Sequence, residues 1–525
     1  MGDGYMKPLL NSMASQLQIG PDPEILSQLQ KAGFREPNSA GMMLYEIGQR
    51  ASDLTSDRKP LPSLLEAIVD SYDPNRALNN IYTLLMQENE TIAASLLRLF
   101  ARHPDETNAL VGICASSQPL SMVIIKDPEH VLSLFSDAHW QSFSSVEVLS
   151  KRQSAMIDGT ATFEGGLTAL RTFKRQEFLH IAMCDLMKLV DTSVILRRLS
   201  DVADVCLQGA CDLSVRELVD RHGEPLLPDG QPSRFAVIGM GKLGGQELNF
   251  SSDIDILYVY DSPKGKTSRS GLSTYEYYTK LARMVTDAIG RITPEGIVFR
   301  VDLRLRPDGR TGDIASAVDG YRRHYYTRGQ VWERQALIKA RPLAGSHAVG
   351  QQFLDAIEPF VFHPESDPLI LEDINRSREK IAHTLLEKGS GEHHVKLGPG
   401  GIREIEFITQ GFQLIHTGAG CWPWERSTLP ALSWIASQGY LADHEVACLH
   451  DAYLFLRDLE NRIQIASGHR THEIPTDIYE RAVLARMMGI QGHGIHESAE
   501  LLLSHYTAHT NRVQRIYQRI FHSAF

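Results

Sequence analysis

The chain has 525 residues, 42% of them hydrophobic and 22% charged, with a formal net charge of -11. Its length allows about two to four globular domains with sizeable cores. The acidic balance argues against a protein that coats nucleic acid, because counterion release needs clustered Lys and Arg. The opening "MGDGYMKPLLNSMASQ" has no basic segment followed by an apolar core, so no signal peptide is expected. No apolar run reaches the ~20 residues of a transmembrane helix. The six cysteines form no C-x-x-C pair, and a cytoplasmic protein with reduced thiols is expected.

Residues 1–75 form an N-terminal extension of unknown role, with short helices expected in "EPNSAGMMLYEIGQRASDL" and "PLPSLLEAIVDSYD". Residues 76–230 read as a helical region: Leu84, Ile92, Leu96 and Phe100 repeat at helical spacing, as do Leu170, Phe173, Phe178, Ile181 and Leu186. Residues 221–234 are a turn-rich connector. Between 231 and 345 the texture changes. "FAVIGM", "DIDILYVYD" and "GIVFRVDLRLRP" carry the β-branched and aromatic residues of strands. "STYEYYTKLARMVTDAIGRI" lies between the last two and reads as a helix. From Pro342 the helical texture returns, and residues 346–525 are expected to be a helical bundle. Its clearest segments are "DAYLFLRDLENRIQIA" and "LLLSHYTAHTNRVQRIYQRIF". No zinc geometry emerges from the histidine pairs 393/394, 469/472 and 493/496.

Gly239, Gly241 and Gly244 spell G-x-G-x-x-G after the first strand. A dinucleotide fold then needs a full crossover helix and a parallel strand. Only "QELNFSS" separates Gly245 from Asp253, which is too short, and no P-loop G-K-[ST] is present. The acids offer a better reading. Residues i and i+2 of a strand share a face, so Asp253 and Asp255 project together while Ile254 and Ile256 enter the core. Two such carboxylates repel unless a cation lies between them. Mg2+ suits them, and two ions can clamp a phosphoryl centre with a third carboxylate from a neighbouring strand. Asp302, the lone acid of "VFRVDLRLRP", is the candidate. On this reading Gly244 and Gly245 make a tight turn whose N–H groups approach phosphate, and Ser251 and Ser252 add hydroxyl donors. Lys242 in the turn, and Arg304 and Arg306 on the face of Asp302, are candidate phosphate ligands. Trp332 is expected to fill a core between domains, and Glu333 and Arg334 to be structural. In "KLGPGGIREIEFITQGFQLIH" a glycine-rich loop feeds a helix with apolar stripe Ile405, Ile408, Phe412 and Ile415. The helix start can receive a phosphate, helped by Lys396 and Arg403.

"GMGKLGGQELNFSSDIDILYVY" resembles the motif of the glutamine synthetase adenylyltransferase/adenylyl-removing enzymes, within the polymerase β-like nucleotidyltransferase superfamily. "VFRVDLRLRPDGRTG", "WERQALIKAR", "KLGPGGIREIEFITQGFQLI" and "AYLFLRDLENRIQI" extend the resemblance. It runs from near residue 90 to the C-terminus. It implies an α+β fold, with a nucleotidyltransferase domain on a small mixed sheet flanked by helical regions. The implied metal ligands and catalytic residues are Asp253, Asp255 and Asp302, holding two Mg2+ ions. The family carries two catalytic modules in tandem: one attaches AMP from ATP to a tyrosine of glutamine synthetase, the other removes it with phosphate and releases ADP. "LNFSSDID" and "KLGPGGIREIEFI" look more like the N-terminal, deadenylylating module. The chain departs from that pattern at Asp308, where the family has an aromatic residue, and at "TGDI", where it has "SGPL". The implied partners are glutamine synthetase, ATP/ADP and phosphate, and a PII-type signalling protein. Neither nucleic acid nor membrane is expected. ATP-dependent adenylylation, transfer to another protein or RNA, and a regulatory binding module with a relic site are the alternatives.

Overall fold

The computed structural model describes residues 22–55, 60–362, 369–387, 393–416 and 424–522. The chain divides into two compact units. The helices, in chain order, begin with α1 (Pro23–Lys31), α2 (Pro37–Leu54), α3 (Pro60–Val69), α4 (Pro74–Leu85), α5 (Glu90–Arg102), α6 (Pro104–Ser116), α7 (Gln118–Lys126) and α8 (Pro128–Ser136). These eight lie in the first unit, together with residues 178–191 and 461–504. Proline at the first or second position of most of them fits the site where a missing N–H costs no hydrogen bond. Leu84, Leu96 and Phe100 are buried as their spacing predicts. Within this unit Arg462 is 2% exposed and pairs with Asp185 at 2.6 Å.

The second unit holds residues 144–177, 192–460 and 505–525. Its helices before the sheet are α9 (Val146–Asp158), the first part of α10 (Phe163–Leu186), and α11 (Thr192–His222). The strands are β1 (Pro225–Leu226), β2 (Phe235–Met240), β3 (Ile254–Tyr260), β4 (Lys266–Thr267), β5 (Val301–Asp302), β6 (Ala315–Ala317) and β7 (Arg341–Gly345). They form a two-stranded sheet β1-β4 and a five-stranded mixed sheet β5-β3-β2-β7, with β6 also on β3. β2 is buried at all six positions. The single turn α12 (Gly241–Gly244) links β2 to β3, and α13 (Thr274–Gly290) packs on the sheet, its Tyr278 stacked on Phe235 and Tyr260. After β6 come α14 (Val318–Arg328), α15 (Val331–Leu337), α16 (His347–Val361), α17 (Leu369–Glu387), α18 (Ile402–His416), α19 (Thr428–Ser437), α20 (Asp443–Ser467), α21 (Ile478–Met487) and α22 (Ile495–His522). The helices α10, α20 and α22 contribute residues to both units, and α21 belongs to the first. The fold is thus α+β: a small mixed sheet with helical segments before and after it.

β2 and β3 pair antiparallel, which a dinucleotide-binding βαβ unit excludes. Three expectations are corrected. The run after Pro342 begins with strand, not helix: Arg341–Gly345 pairs antiparallel with β2 through an irregularity at Val237/Ile238. The run "GIVFRVDLRLRP" is strand only at Val301 and Asp302. Asp302 ends it, because its Oδ1 accepts the Arg304 N–H at 2.9 Å and folds the chain into a turn. Trp332 is 46% exposed and fills no core. Glu333 is structural as expected, bonding His324 at 2.9 Å and capping α15 through Gln330 N–H.

Glycine at 244 is a packing requirement. A Cβ there would lie 1.8 Å from the Lys339 carbonyl oxygen and 2.7 Å from that of Gly239. Both obstacles are backbone. A Gly244→Ala chain is therefore expected to lose at least about 1–3 kcal/mol of stability, measured as a shift of the urea unfolding midpoint of the full chain.

Candidate active site

β3 places its acids by pairing on both edges. Met240 of β2 faces Asp255 on one side, and Asp302 of β5 faces Asp255 on the other, in parallel register. Ladder pairing to the 300 segment starts where Ile254 N–H donates to Arg300 O at 2.9 Å, so Asp253 stands just before the strand. The period-two expectation holds: Ile254 and Ile256 are buried, while Asp253 and Asp255 are partly exposed. Burial, then Asp302, pushes the Asp255 carboxyl up to about 6; Lys396 and Arg403 oppose the shift, and Asp253 adds to it. Asp302, Lys396, Arg403 and Asp253 are thus all felt at Asp255.

Two arginines hold the outer acids. Arg304 Nε lies 3.0 and 2.9 Å from the two Asp302 oxygens. Arg300 Nε lies 2.6 Å from Asp253 Oδ1, and its Nη2 donates to the Ser251 carbonyl. Arg300 escaped the sequence reading. Its signal was there: it precedes Val301 as Asp253 precedes Ile254, so the parallel register that pairs Asp255 with Asp302 brings Arg300 to Asp253. Arg306 is used differently. Its guanidinium donates to the carbonyls of Leu303, Arg310 and Gly312, at 2.9, 3.1 and 3.2 Å, and staples the turn after β5.

The glycine turn is also arranged otherwise than its spelling suggests. Gly244 and Gly245 are buried against backbone and side chains of the interior, and Gly245 N–H is bonded to Gly241 O. Gly241 is the residue at the carboxylates. It has φ +52°, and a Cβ on it would lie 2.7 Å from Asp255 Oδ2. Ser252 Oγ accepts the Asn249 N–H at 3.3 Å. Lys242 turns inward: its Nζ lies 2.7 Å from Asn249 Oδ1 and 2.9 and 3.0 Å from the Glu460 oxygens of α20. Burial pulls it well below the ordinary lysine value, with Glu460 working the other way.

Lys242 opens a buried ionic layer beneath the turn. Arg457 Nε is 3.7 Å from Glu460, and its Nη2 donates to the Glu247 carbonyl. The Glu247 carboxylate pairs with Lys339 Nζ at 2.6 Å. Lys339 is 3.9 Å from Glu406 of α18, and Arg403 is 3.5 Å from its other oxygen. Burial alone would raise Glu406; Lys339, then Arg403, Lys396 and Lys242, instead bring it from 4.5 to about 2. The start of α18 is not an open anion site. Gly401, Ile402 and Arg403 N–H groups donate to the carbonyls of Gly398, Val395 and Lys396, and Gly400 N–H donates to Glu404. This loop-to-helix stitching delivers Lys396 and Arg403 toward Asp255 by their side chains alone.

The donor set fits a hard divalent cation at Asp255 and Asp302: both are oxygen ligands, adjacent by register, and burial together with their repulsion raises Asp255, a repulsion a cation would relieve. Asp253 completes the set by sequence but is turned to Arg300. Among the described residues no three acid, histidine or cysteine groups stand close enough together to hold a metal ion.

A small mixed sheet with helical segments before and after it, Asp255 paired with Asp302 across adjacent strands, is the α+β architecture of a nucleotidyltransferase-type fold. Residues 107–356 match the family model described as glutamate-ammonia ligase adenylyltransferase, and residues 372–521 match that of GlnD PII-uridylyltransferase. The chain is similar to the bifunctional glutamine synthetase adenylyltransferase/adenylyl-removing enzyme of Thioalkalivibrio sulfidiphilus, with 34% identity over 413 residues, 79% of this chain and 42% of the relative. The Pseudomonas aeruginosa enzyme of the same name is 34% identical over 421 residues, 79% of this chain and 42% of the relative. That of Methylococcus capsulatus is 35% identical over 387 residues, 73% and 40%. The chain belongs to the glutamine synthetase adenylyltransferase/adenylyl-removing family. It spans about two fifths of the length of these relatives. Among the described residues no helix is long and apolar enough to cross a membrane.

Two outcomes follow from this geometry. A Gly241→Ala chain forces a left-handed φ on alanine, costing about 1 kcal/mol, and displaces the Asp255 carboxylate. On the nucleotidyl-transfer reading proposed below, the rate should fall at least about tenfold, with only a small fall in thermal midpoint. Glu406 supplies a pH signature. Its folded pKa is depressed, so its contribution is complete above about pH 4.5 and fades as pH falls toward 2. The stability difference between the native chain and Glu406→Gln should be largest above pH 5 and narrow from pH 4.5 to 3. Urea unfolding across that range measures it, and a constant difference contradicts the assignment.

Proposed function

We propose that this chain performs Mg2+-dependent nucleotidyl chemistry on glutamine synthetase, removing AMP from an adenylylated tyrosine by phosphorolysis. The observation that carries this reading is the Asp255–Asp302 register pair with Lys396 and Arg403 acting on Asp255. Phosphate oxygen attacks the AMP phosphorus, the bond to the tyrosine oxygen breaks, and the products are ADP and free tyrosine. Asp255 and Asp302, with Asp253 once released from Arg300, are the residues that would hold Mg2+. The ion, when bound, supplies positive charge to the phosphoryl oxygens. Lys396 and Arg403 bring cationic side chains to the same place, where they orient and neutralise the incoming phosphate. Arg300 and Arg304 pair with the outer carboxylates and are available to exchange them for phosphate oxygens. Lys242 and Arg306 act beneath the site, as supports for the glycine turn and for the turn after β5.

The likeness of "LNFSSDID" and "KLGPGGIREIEFI" to the deadenylylating module supports the phosphorolytic direction. The departure at Asp308, which has φ +57° and pairs with Arg328 at 3.3 Å, favours keeping ATP-dependent adenylylation as the second reading. The match of residues 372–521 to a PII-uridylyltransferase model supports a PII-type protein as a regulatory partner. Incubation of the chain with adenylylated glutamine synthetase, Mg2+ and phosphate should release ADP. Labelling of unmodified synthetase from ATP, without ADP release in the first assay, reverses the direction. Asp255→Asn or Asp302→Asn should lower either rate by at least about a hundredfold; an unchanged rate removes both from the site.

A further inference from the structure

A cavity of about 410 Å3 opens at the end of the main sheet opposite the carboxylates. Phe235 lines it, whereas Met240, five residues along β2, faces Asp255. At ~3.3 Å per residue the two sites stand roughly 17 Å apart. The volume falls in the range of small-molecule sites.

Its interior is aromatic and its mouth is acidic. Phe235 and Tyr278 stack with centroids 5.5 Å apart, and Tyr277 packs edge-on against Tyr278. Asp212 and Glu224 stand exposed at the rim, against one lining cation, Arg234. Tyr277 is 1% exposed, lines the cavity, and its hydroxyl has no hydrogen-bond partner among the described residues. Buried hydroxyls ordinarily have one. Burial, then Glu224, pushes Tyr277 up to about 12, so the rim carboxylate and the buried hydroxyl act on the same space. Gln208 is already engaged: its Nε2 donates to Asp212 at 2.8 Å and its Oε1 accepts the Gly345 N–H at 2.9 Å.

We propose that this cavity binds a small organic cation, a primary amine carried on an apolar aromatic body. The ring lies against the Phe235–Tyr278 stack. The ammonium donates to Glu224 and Asp212 and to the Tyr277 hydroxyl oxygen. Two carboxylates against one guanidinium select a cation over an anion, and the aromatic interior selects a ring over a bare ion. The site shares no residue with the carboxylate site, so it stands or falls independently of the direction or substrate of nucleotidyl transfer.

The test is a titration of the full chain with benzylamine, using benzyl alcohol and benzoate as neutral and anionic counterparts, followed by ligand-observed NMR. Benzylamine should bind saturably with a dissociation constant on the order of a millimolar, as befits a fragment of this size. Benzyl alcohol should bind at least about fivefold more weakly and benzoate more weakly still. Asp212→Asn and Glu224→Gln alter exposed side chains and should leave the fold intact; each should weaken benzylamine at least about threefold and leave benzyl alcohol unchanged. Tyr277→Phe should weaken both. Absence of saturable binding, benzoate as tight as benzylamine, or full benzylamine affinity in the doubly substituted chain would overturn the proposal.

Discussion

The candidate site rests on a layer of buried charges. Lys242 cannot be understood as a loop lysine: its ammonium is enclosed by Asn249 and the Glu460 carboxylate, and Glu460 in turn faces Arg457. Taking such ions out of water is costly unless each finds a partner, and removing one partner of a buried pair costs about 3–5 kcal/mol. Here the partners come from four places in the chain: the turn after β2, the segment before β7, α18 and α20. Joining Lys242, Glu247, Lys339, Glu406, Arg403 and Glu460 into one layer fixes the height of the glycine turn and the position of α18. Those two elements carry Gly241 and Arg403, the groups set against Asp255.

Above this layer the sheet does the rest. Antiparallel pairing of β2 with β3 puts Met240 opposite Asp255, and parallel pairing of β3 with β5 puts Asp302 beside it. The strand β5 needs only two residues for this, because Asp302 spends one carboxylate oxygen on closing the next turn. Asp302 thus has a local structural role and a site role at once. The arginines 300 and 304 pair with the outer acids, and burial, then the neighbouring Asp302, raises the Asp255 carboxyl. Three carboxylates thus stand among four cations, Arg300, Arg304, Lys396 and Arg403.

Much of this was legible in the sequence. The apolar alternation around "DIDILYVY" is period two, and burial of Ile254 and Ile256 follows from it. The short spacing from Gly245 to Asp253 rules out a crossover helix, and the structure has a single helical turn there. The lone acid in "VFRVD" identifies Asp302 as partner. The roles of individual glycines and cations were not legible. Gly241, Gly244 and Gly245 are equivalent as letters; which one meets a carboxylate and which meets the Lys339 carbonyl depends on a backbone about a hundred residues away. Lys242 and Arg306 read as phosphate ligands because a cation near a phosphate turn is a sound expectation. Their actual acceptors, Glu460 and three carbonyls of the following turn, are set by folding.

The sequence by itself determined the strands β2 and β3 with the short turn between them, the burial of Ile254 and Ile256, and the family to which the chain belongs. It did so because strand periodicity and turn length are local properties. Only the tertiary structure decided the exact register of the acids, which arginine pairs with each, and which lysine is buried. Those choices depend on strand register and on desolvation, and both arise when segments distant in sequence close over one another.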